Sequence, residues 1–164
     1  MILEPAPHHQ GIMPFFVYGS LMTGFGNATI WNDRIDRIEQ NLIVTGYQLF
    51  GLEAPGTAAP YPYAVPDPDP DHFIMGELLW PSCDIDAGQV TKDFDWVEGH
   101  PQHYLRQEVA VLRGRDRTVK AWMYVFPSDR HLIPRLTPLG SSWRVYRDQC
   151  QRQGKRLPAL LSVV

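Results

Sequence analysis

Residues 15–27 read Phe15-Phe16-Val17-Tyr18-Gly19-Ser20-Leu21-Met22-Thr23-Gly24-Phe25-Gly26-Asn27. A short apolar, aromatic run stops at a glycine, which predicts a buried strand running into a turn. Gly19, Gly24 and Gly26 then punctuate a predicted loop. A strand that stops this way leaves consecutive backbone N–H groups without ladder partners. Such a row either forms an ordinary tight turn or holds a carboxylate or oxyanion. Ser20 adds a hydroxyl, and Tyr18 adds a ring with a polar tip. The loop is not a P-loop, because no Gly-Lys-Ser/Thr closes it.

Upstream, residues 1–14 contain Pro5, Pro7 and Pro14 and no apolar period, so a flexible N-terminal arm is expected. Downstream, residues 38–50 predict one strand region. Residues 51–72 carry Pro55, Pro60, Pro62, Pro66, Pro68 and Pro70 and read as an extended loop rather than an element. A loop this long is expected to cover part of a pocket. Residues 73–80 are strand-like. Residues 84–98 predict a helix, with Asp84 or Asp86 as its N-cap. Val90, Phe94 and Val97 fall on one face of it. Gly99 suits the left-handed position after the helix, and Pro101 prevents continuation.

Residues 104–113 and 119–126 predict two further strands joined at Gly114-Arg115-Asp116. From Ser141 a basic helical extension over 141–155 is predicted. Ser141 or Ser142 caps it, Gly154 ends it, and Arg144, Arg147 and Arg152 lie along it. Strands outnumber helices, and no regular crossover helices separate them. The expected fold is α+β, a small mixed or barrel-like sheet with a few helices, in a single domain over 15–164.

At 164 residues and 44% hydrophobic content the chain suffices for one domain with a sizeable core. It holds no apolar run of the ~20 residues that span a bilayer. The first residues lack the basic-then-apolar order of a signal peptide. A cytoplasmic protein with no membrane partner is expected. A net charge of -3 speaks against a nucleic-acid partner. Cys83 and Cys150 make no disulfide framework and are expected to be buried small hydrophobes. Charge is unevenly spread, with nine acids against Lys92 alone over 61–100 and twelve basic residues against four acids over 101–164. That asymmetry marks either two solvated faces or a partner surface.

Glu98 closes the predicted helix, where the helix dipole disfavours a carboxylate. Apolar neighbours such as Phe94 or Trp96 would disfavour it further, raising its pKa toward the range of a neutral-pH acid/base if it is buried. The alternative is a surface glutamate in a last helical turn. His100 and His103 lie near it, but Pro101 breaks the helix, so the three share no face and no metal site is predicted.

Taken in order, several segments resemble the motifs of the γ-glutamylcyclotransferase-like superfamily, which includes γ-glutamylamine cyclotransferases and avirulence-induced-gene-like proteins. Phe16 to Leu21 is similar to its opening strand and Tyr-Gly-Ser/Thr-Leu loop. Gly76-Glu77-Leu78-Leu79-Trp80 resembles its Gly-Glu-Leu-aromatic strand, and Phe94-Asp95-Trp96-Val97-Glu98-Gly99 its Leu-Asp-x-x-Glu-Gly helix end. Tyr104-x-Arg106-x-x-Val109-x-Val111 and Ala121-Trp122-Met123-Tyr124-Val125 are similar to the two strands that follow. Phe94 stands where leucine is usual, and Val97 where an aromatic is common.

The resemblance implies a small α+β barrel whose cavity is lined by the loop and by the helix-end glutamate. It implies Glu98 as the catalytic acid/base, with Tyr18, Gly19, Ser20, Leu21, Tyr104 and Tyr124 binding the substrate. The implied substrate is a γ-glutamyl small molecule that cyclises to 5-oxoproline and releases an amine, with no metal or cofactor required. The charge asymmetry keeps a second possibility in view, a non-catalytic binding module on the same fold.

Overall fold

The computed structural model describes residues 11–52, 61–127 and 136–154. In chain order they form β1 (Phe15–Val17), a 3-10 turn (Gly26–Ile30), β2 (Ile35–Thr45), β3 (Tyr47–Leu52) and β4 (Tyr61–Pro66). Next come β5 (Phe73–Pro81), helix α1 (Asp84–Val97), β6 (Leu105–Leu112), β7 (Thr118–Val125), β8 (Thr137–Gly140) and helix α2 (Trp143–Arg152). Five strands close into a barrel in the order β1-β5-β2-β6-β7, and β4-β3-β8 make a second, antiparallel sheet. Only β1 and β7 pair in parallel within the barrel. The fold is α+β, as expected.

Burial explains the strands. β1 is buried at every position, and β5 is buried at nearly every position because it lies between β1 and β2. β7 alternates, with Ala121, Met123 and Val125 inside. The β6–β7 turn is the one predicted: Gly114 has φ 77°, and Arg113 N–H donates to the Arg117 carbonyl at 2.8 Å. Helix α1 lays Val90, Phe94 and Val97 on the barrel, where the Phe94 ring meets Phe15 edge-on at 5.0 Å. Gly99 follows with φ 61°.

Several expectations need correction. Residues 38–50 are not one strand region. Gly46, at φ 79°, turns the chain out of the barrel, so β2 and β3 belong to different sheets. Residues 51–72 are not purely loop. Residues 61–66 form β4, whose edge position in the second sheet tolerates Pro62 and Pro66 because a sheet edge does not need their missing N–H groups. Neither Asp84 nor Asp86 caps α1; Cys83 holds the N-cap position without a side-chain bond, and both acids lie in the first turn. That position also leaves Cys83 exposed, whereas Cys150 is buried.

The predicted arm also shortens, since Ile12 and Pro14 are buried and Trp122 N–H donates to the Pro14 carbonyl at 2.9 Å. Residues 1–10 and the central part of the expected pocket-covering loop, 53–60, lie outside the described residues. Ser142 caps α2 by accepting from Val145 N–H, and Gly154 follows at φ 69°. Among the described residues no helix is long and apolar enough to cross a membrane.

Candidate active site

β1 delivers the glycine loop to one end of the barrel. Gly76 lets it arrive, because a Cβ there would collide with the Val17 carbonyl oxygen and stand 2.7 Å from the Phe16 ring. Beyond β1 the Tyr18 side chain turns inward. Its hydroxyl donates to the Tyr124 carbonyl at 2.6 Å and accepts from Ala64 N–H at 3.0 Å. What Tyr18 leaves facing the loop is its backbone.

The loop's carbonyls point into its own scaffold. Gly19 C=O accepts from Met22 N–H, Ser20 C=O from Asn27 N–H, and Leu21 C=O from the Trp31 indole at 2.8 Å. In a trans peptide the N–H points opposite to the C=O. The Ser20 and Leu21 amides therefore point away from that scaffold, and no acceptor among the described residues takes them. Asn27 also donates to the Ser20 hydroxyl at 2.8 Å, fixing it. Pro62 stands against the loop, 3.1 Å from where a Cβ on Gly19 would lie.

Glu98 is the C-cap of α1, its N–H bonded to the Phe94 carbonyl at 2.8 Å. The residue keeps some exposed surface, yet its carboxyl is enclosed by protein. This combination fits a recess rather than a surface. Burial raises its pKa to about 8. Its charge acts on both Tyr18 and Tyr124, so three residues far apart in sequence converge here. The Tyr18 hydroxyl is held protonated mainly by burial. The same is true of Tyr124, with help from Asp95.

Tyr124 donates to Asp95 Oδ1 at 2.6 Å, and Arg106 Nε donates to the same oxygen at 3.0 Å. Arg106 N–H in turn donates to His100 Nδ1 at 3.0 Å. Asp95 and Arg106 form a brace on Tyr124 that sequence reasoning did not assign, although both lie inside quoted motifs. Tyr104 donates to the Pro62 carbonyl at 2.7 Å, and its ring stacks on Tyr63 at 4.4 Å. Tyr63 also meets Phe126 edge-on at 5.2 Å. Tyr63 of β4, Tyr104 just before β6 and Phe126 just after β7 thus make an aromatic wall next to Pro62, which stands against the loop. Among the described residues no three His, Cys, Asp or Glu side chains converge as metal ligands would.

The arrangement offers a row of amides for an anion and a carboxyl that can hold or release a proton near neutral pH. The family model described as "Gamma-glutamyl cyclotransferase, AIG2-like" matches residues 15–145. A Methanocaldococcus jannaschii protein described as "Putative gamma-glutamylcyclotransferase" is 29% identical over 112 residues, 68% of this chain and 82% of that protein. The crystal structure of a mouse aig2-like protein superposes with a TM-score of 0.61 at 19% identity, over 90% of this chain and 96% of that one. The allophanate hydrolase of Kluyveromyces lactis gives a TM-score of 0.63 at 12% identity, over 90% of this chain and 23% of that one. At such identities the two structures are similar in fold alone.

Proposed function

Because the chain belongs to the gamma-glutamyl cyclotransferase, AIG2-like family, we propose that it releases an amine from a γ-glutamyl small molecule and forms 5-oxoproline. The observation that carries this is Glu98, a carboxyl raised to about 8 and within electrostatic reach of Tyr18, the residue that opens the amide row. The substrate supplies its own nucleophile. Its α-nitrogen attacks its γ-carbonyl carbon, the new N–C bond closes a five-membered ring, and the bond from that carbon to the leaving nitrogen breaks. The enzyme's task is to fold the substrate into that geometry, which makes the attack effectively unimolecular.

Glu98 takes the proton from the α-nitrogen and returns it to the departing amine, so atoms and charges balance. A carboxyl near 8 suits both halves of that transfer better than an ordinary one. The Ser20 and Leu21 amides hold a carboxylate of the substrate, so they act in binding rather than on the developing charge. Tyr104 and Tyr124 wall the site through their rings, since their hydroxyls are bonded to Pro62 and Asp95. No step calls for a metal or cofactor.

The test is 5-oxoproline release from a panel of γ-glutamyl amines by the parent and by Glu98→Gln. Expected is a loss of about 100-fold or more in kcat for the variant. The parent's kcat/KM should rise with pH with a midpoint about 8, and the variant should lose that rise. Equal rates in both proteins, with the variant folded, would remove Glu98 from the chemistry. The charge asymmetry that motivated a binding module loses part of its basis, because Arg144 and Arg147 of the basic extension are engaged within the molecule.

A further inference from the structure

Glu77 lies on β5 opposite Val17 and is 3% exposed, one of two buried polar residues of the described chain. Its carboxylate is fully bonded. Oε2 accepts from both the N–H and the hydroxyl of Thr23, each at 2.9 Å. Oε1 accepts from Arg144 Nη2 at 3.1 Å and from Gln40 Nε2 at 3.3 Å. The same Arg144 nitrogen donates to the Thr23 carbonyl at 2.8 Å. Thr23 is thus held by its amide, its hydroxyl and its carbonyl at once. Two residues further on, Phe25 carries the guanidinium groups of Arg144 and Arg147 against its ring, at 5.0 and 4.0 Å. A cavity of about 310 Å³ opens beside the pair, with Met22, Gln40, Glu77 and Arg144 among its walls.

The segment clamped in this way continues directly from the Gly19–Leu21 amide row. The Gly19–Met22 turn, at 3.1 Å, and the Ser20–Asn27 bond, at 3.2 Å, set the directions of the Ser20 and Leu21 amides. The two donors, Met22 N–H and Asn27 N–H, flank Thr23, so both amides keep their aim only while that segment stays in place. The clamp at Thr23 holds the segment there, through a charge-assisted pair shielded from water on the glutamate side.

We propose that Glu77 and Arg144 are positioning residues. They hold Thr23 so that the Ser20 and Leu21 amides stay aimed at the substrate, which couples the C-terminal helix α2 to the active site. This rests on the cyclotransferase reading for its kinetic consequence, but not for its structural one.

The test uses the full chain as parent, Arg144→Ala, Arg144→Lys and Glu77→Gln, with two readouts. The first is amide hydrogen exchange at Met22, Thr23, Phe25 and Asn27. In Arg144→Ala these amides should exchange about tenfold faster or more, while α1 and the β6–β7 hairpin exchange as in the parent. The second is steady-state release of 5-oxoproline. Arg144→Ala should raise KM about tenfold with kcat changed less than about threefold, as expected when ground-state binding is lost and proton transfer is not. The pH midpoint set by Glu98 should stay put. Arg144→Lys should recover part of the KM, since an ammonium reaches one acceptor where the guanidinium serves two.

Unchanged exchange at Thr23 overturns the proposal, as does a fall in kcat with KM intact. If Glu77→Gln does not fold, Arg144→Ala still decides, because its side chain is 40% exposed and its removal opens no core. If the parent releases no 5-oxoproline from any substrate, the cyclotransferase reading fails, and exchange at Thr23 alone decides the clamp.

Discussion

At about 8, the pKa of Glu98 lies well above the 4.5 of an ordinary glutamate, and burial is the cause. Between those two values the folded protein keeps a proton that the unfolded chain has released. The native state binds more protons there, so stability falls as pH rises through the window. Below it the contribution is fully present. Glu98→Gln keeps the shape and removes the titration. Melting temperatures of parent and variant from about pH 5 to about pH 9 should therefore diverge, with the parent losing more on the alkaline side. Parallel curves would mean that the carboxyl is solvated in the fold. The same titration predicts that activity rises with pH where stability falls, because the base form works and the acid form is the one the fold prefers.

Two glycines in neighbouring elements carry opposite expectations. Gly76 sits in β5 where β1 passes closest, and a methyl group there would collide with the Val17 carbonyl. Gly76→Ala should force the strands apart and cost about 1–3 kcal/mol, overpacking at a site where backbone must move. It should also disturb the loop that β1 carries. Gly88 lies in the middle of α1 with nothing within 4 Å of the added methyl. Gly88→Ala should stabilise by about 0.5–1 kcal/mol through helix propensity and a less disordered unfolded chain. Denaturant unfolding of both variants checks the pair. A stabilising Gly76→Ala would mean that β1 and β5 do not approach as described. The basic residues of α2 do not all play one part. On α2, Arg144 and Arg147 face Phe25 and the clamp, while Arg152 stays in solvent.

The whole molecule joins a barrel to a second sheet, and one hydroxyl stands at the junction. Tyr18 follows β1, accepts from Ala64 of β4 and donates to Tyr124 of β7. Phe126 N–H donates to the Ala64 carbonyl at 2.8 Å, and Met75 N–H to the Ser141 carbonyl at 2.7 Å, closing the seam from two other sides. Tyr18→Phe keeps the ring but strands a buried N–H and a buried C=O. The expected cost is about 2–4 kcal/mol, read as a lower denaturation midpoint with an unchanged slope. A cost within about 0.5 kcal/mol would show that water or another group satisfies both backbone atoms.

Much of the fold was legible in the sequence where one segment sufficed to decide it. Helix α1 followed from Val90, Phe94 and Val97 on one face, with Gly99 ending it. The β6–β7 hairpin followed from two alternating runs around Gly114. Glu98 at the helix end and the glycine loop after β1 were visible for the same reason: spacing and turn chemistry act within a few residues. The sequence did not disclose that residues 47–52 leave the barrel, that a proline-rich stretch pairs as β4, or that Asp95 and Arg106 brace Tyr124. Nor did it disclose that Arg144 reaches Glu77 across 67 positions. Those depend on which distant surfaces exclude water together, and a buried carboxylate recruits whatever donor the closed chain brings to it. The sequence by itself determined the elements whose pattern closes within a few residues, α1 and the β6–β7 hairpin among them, and only the tertiary structure decided which distant residues meet, because burial is set by the whole closed chain.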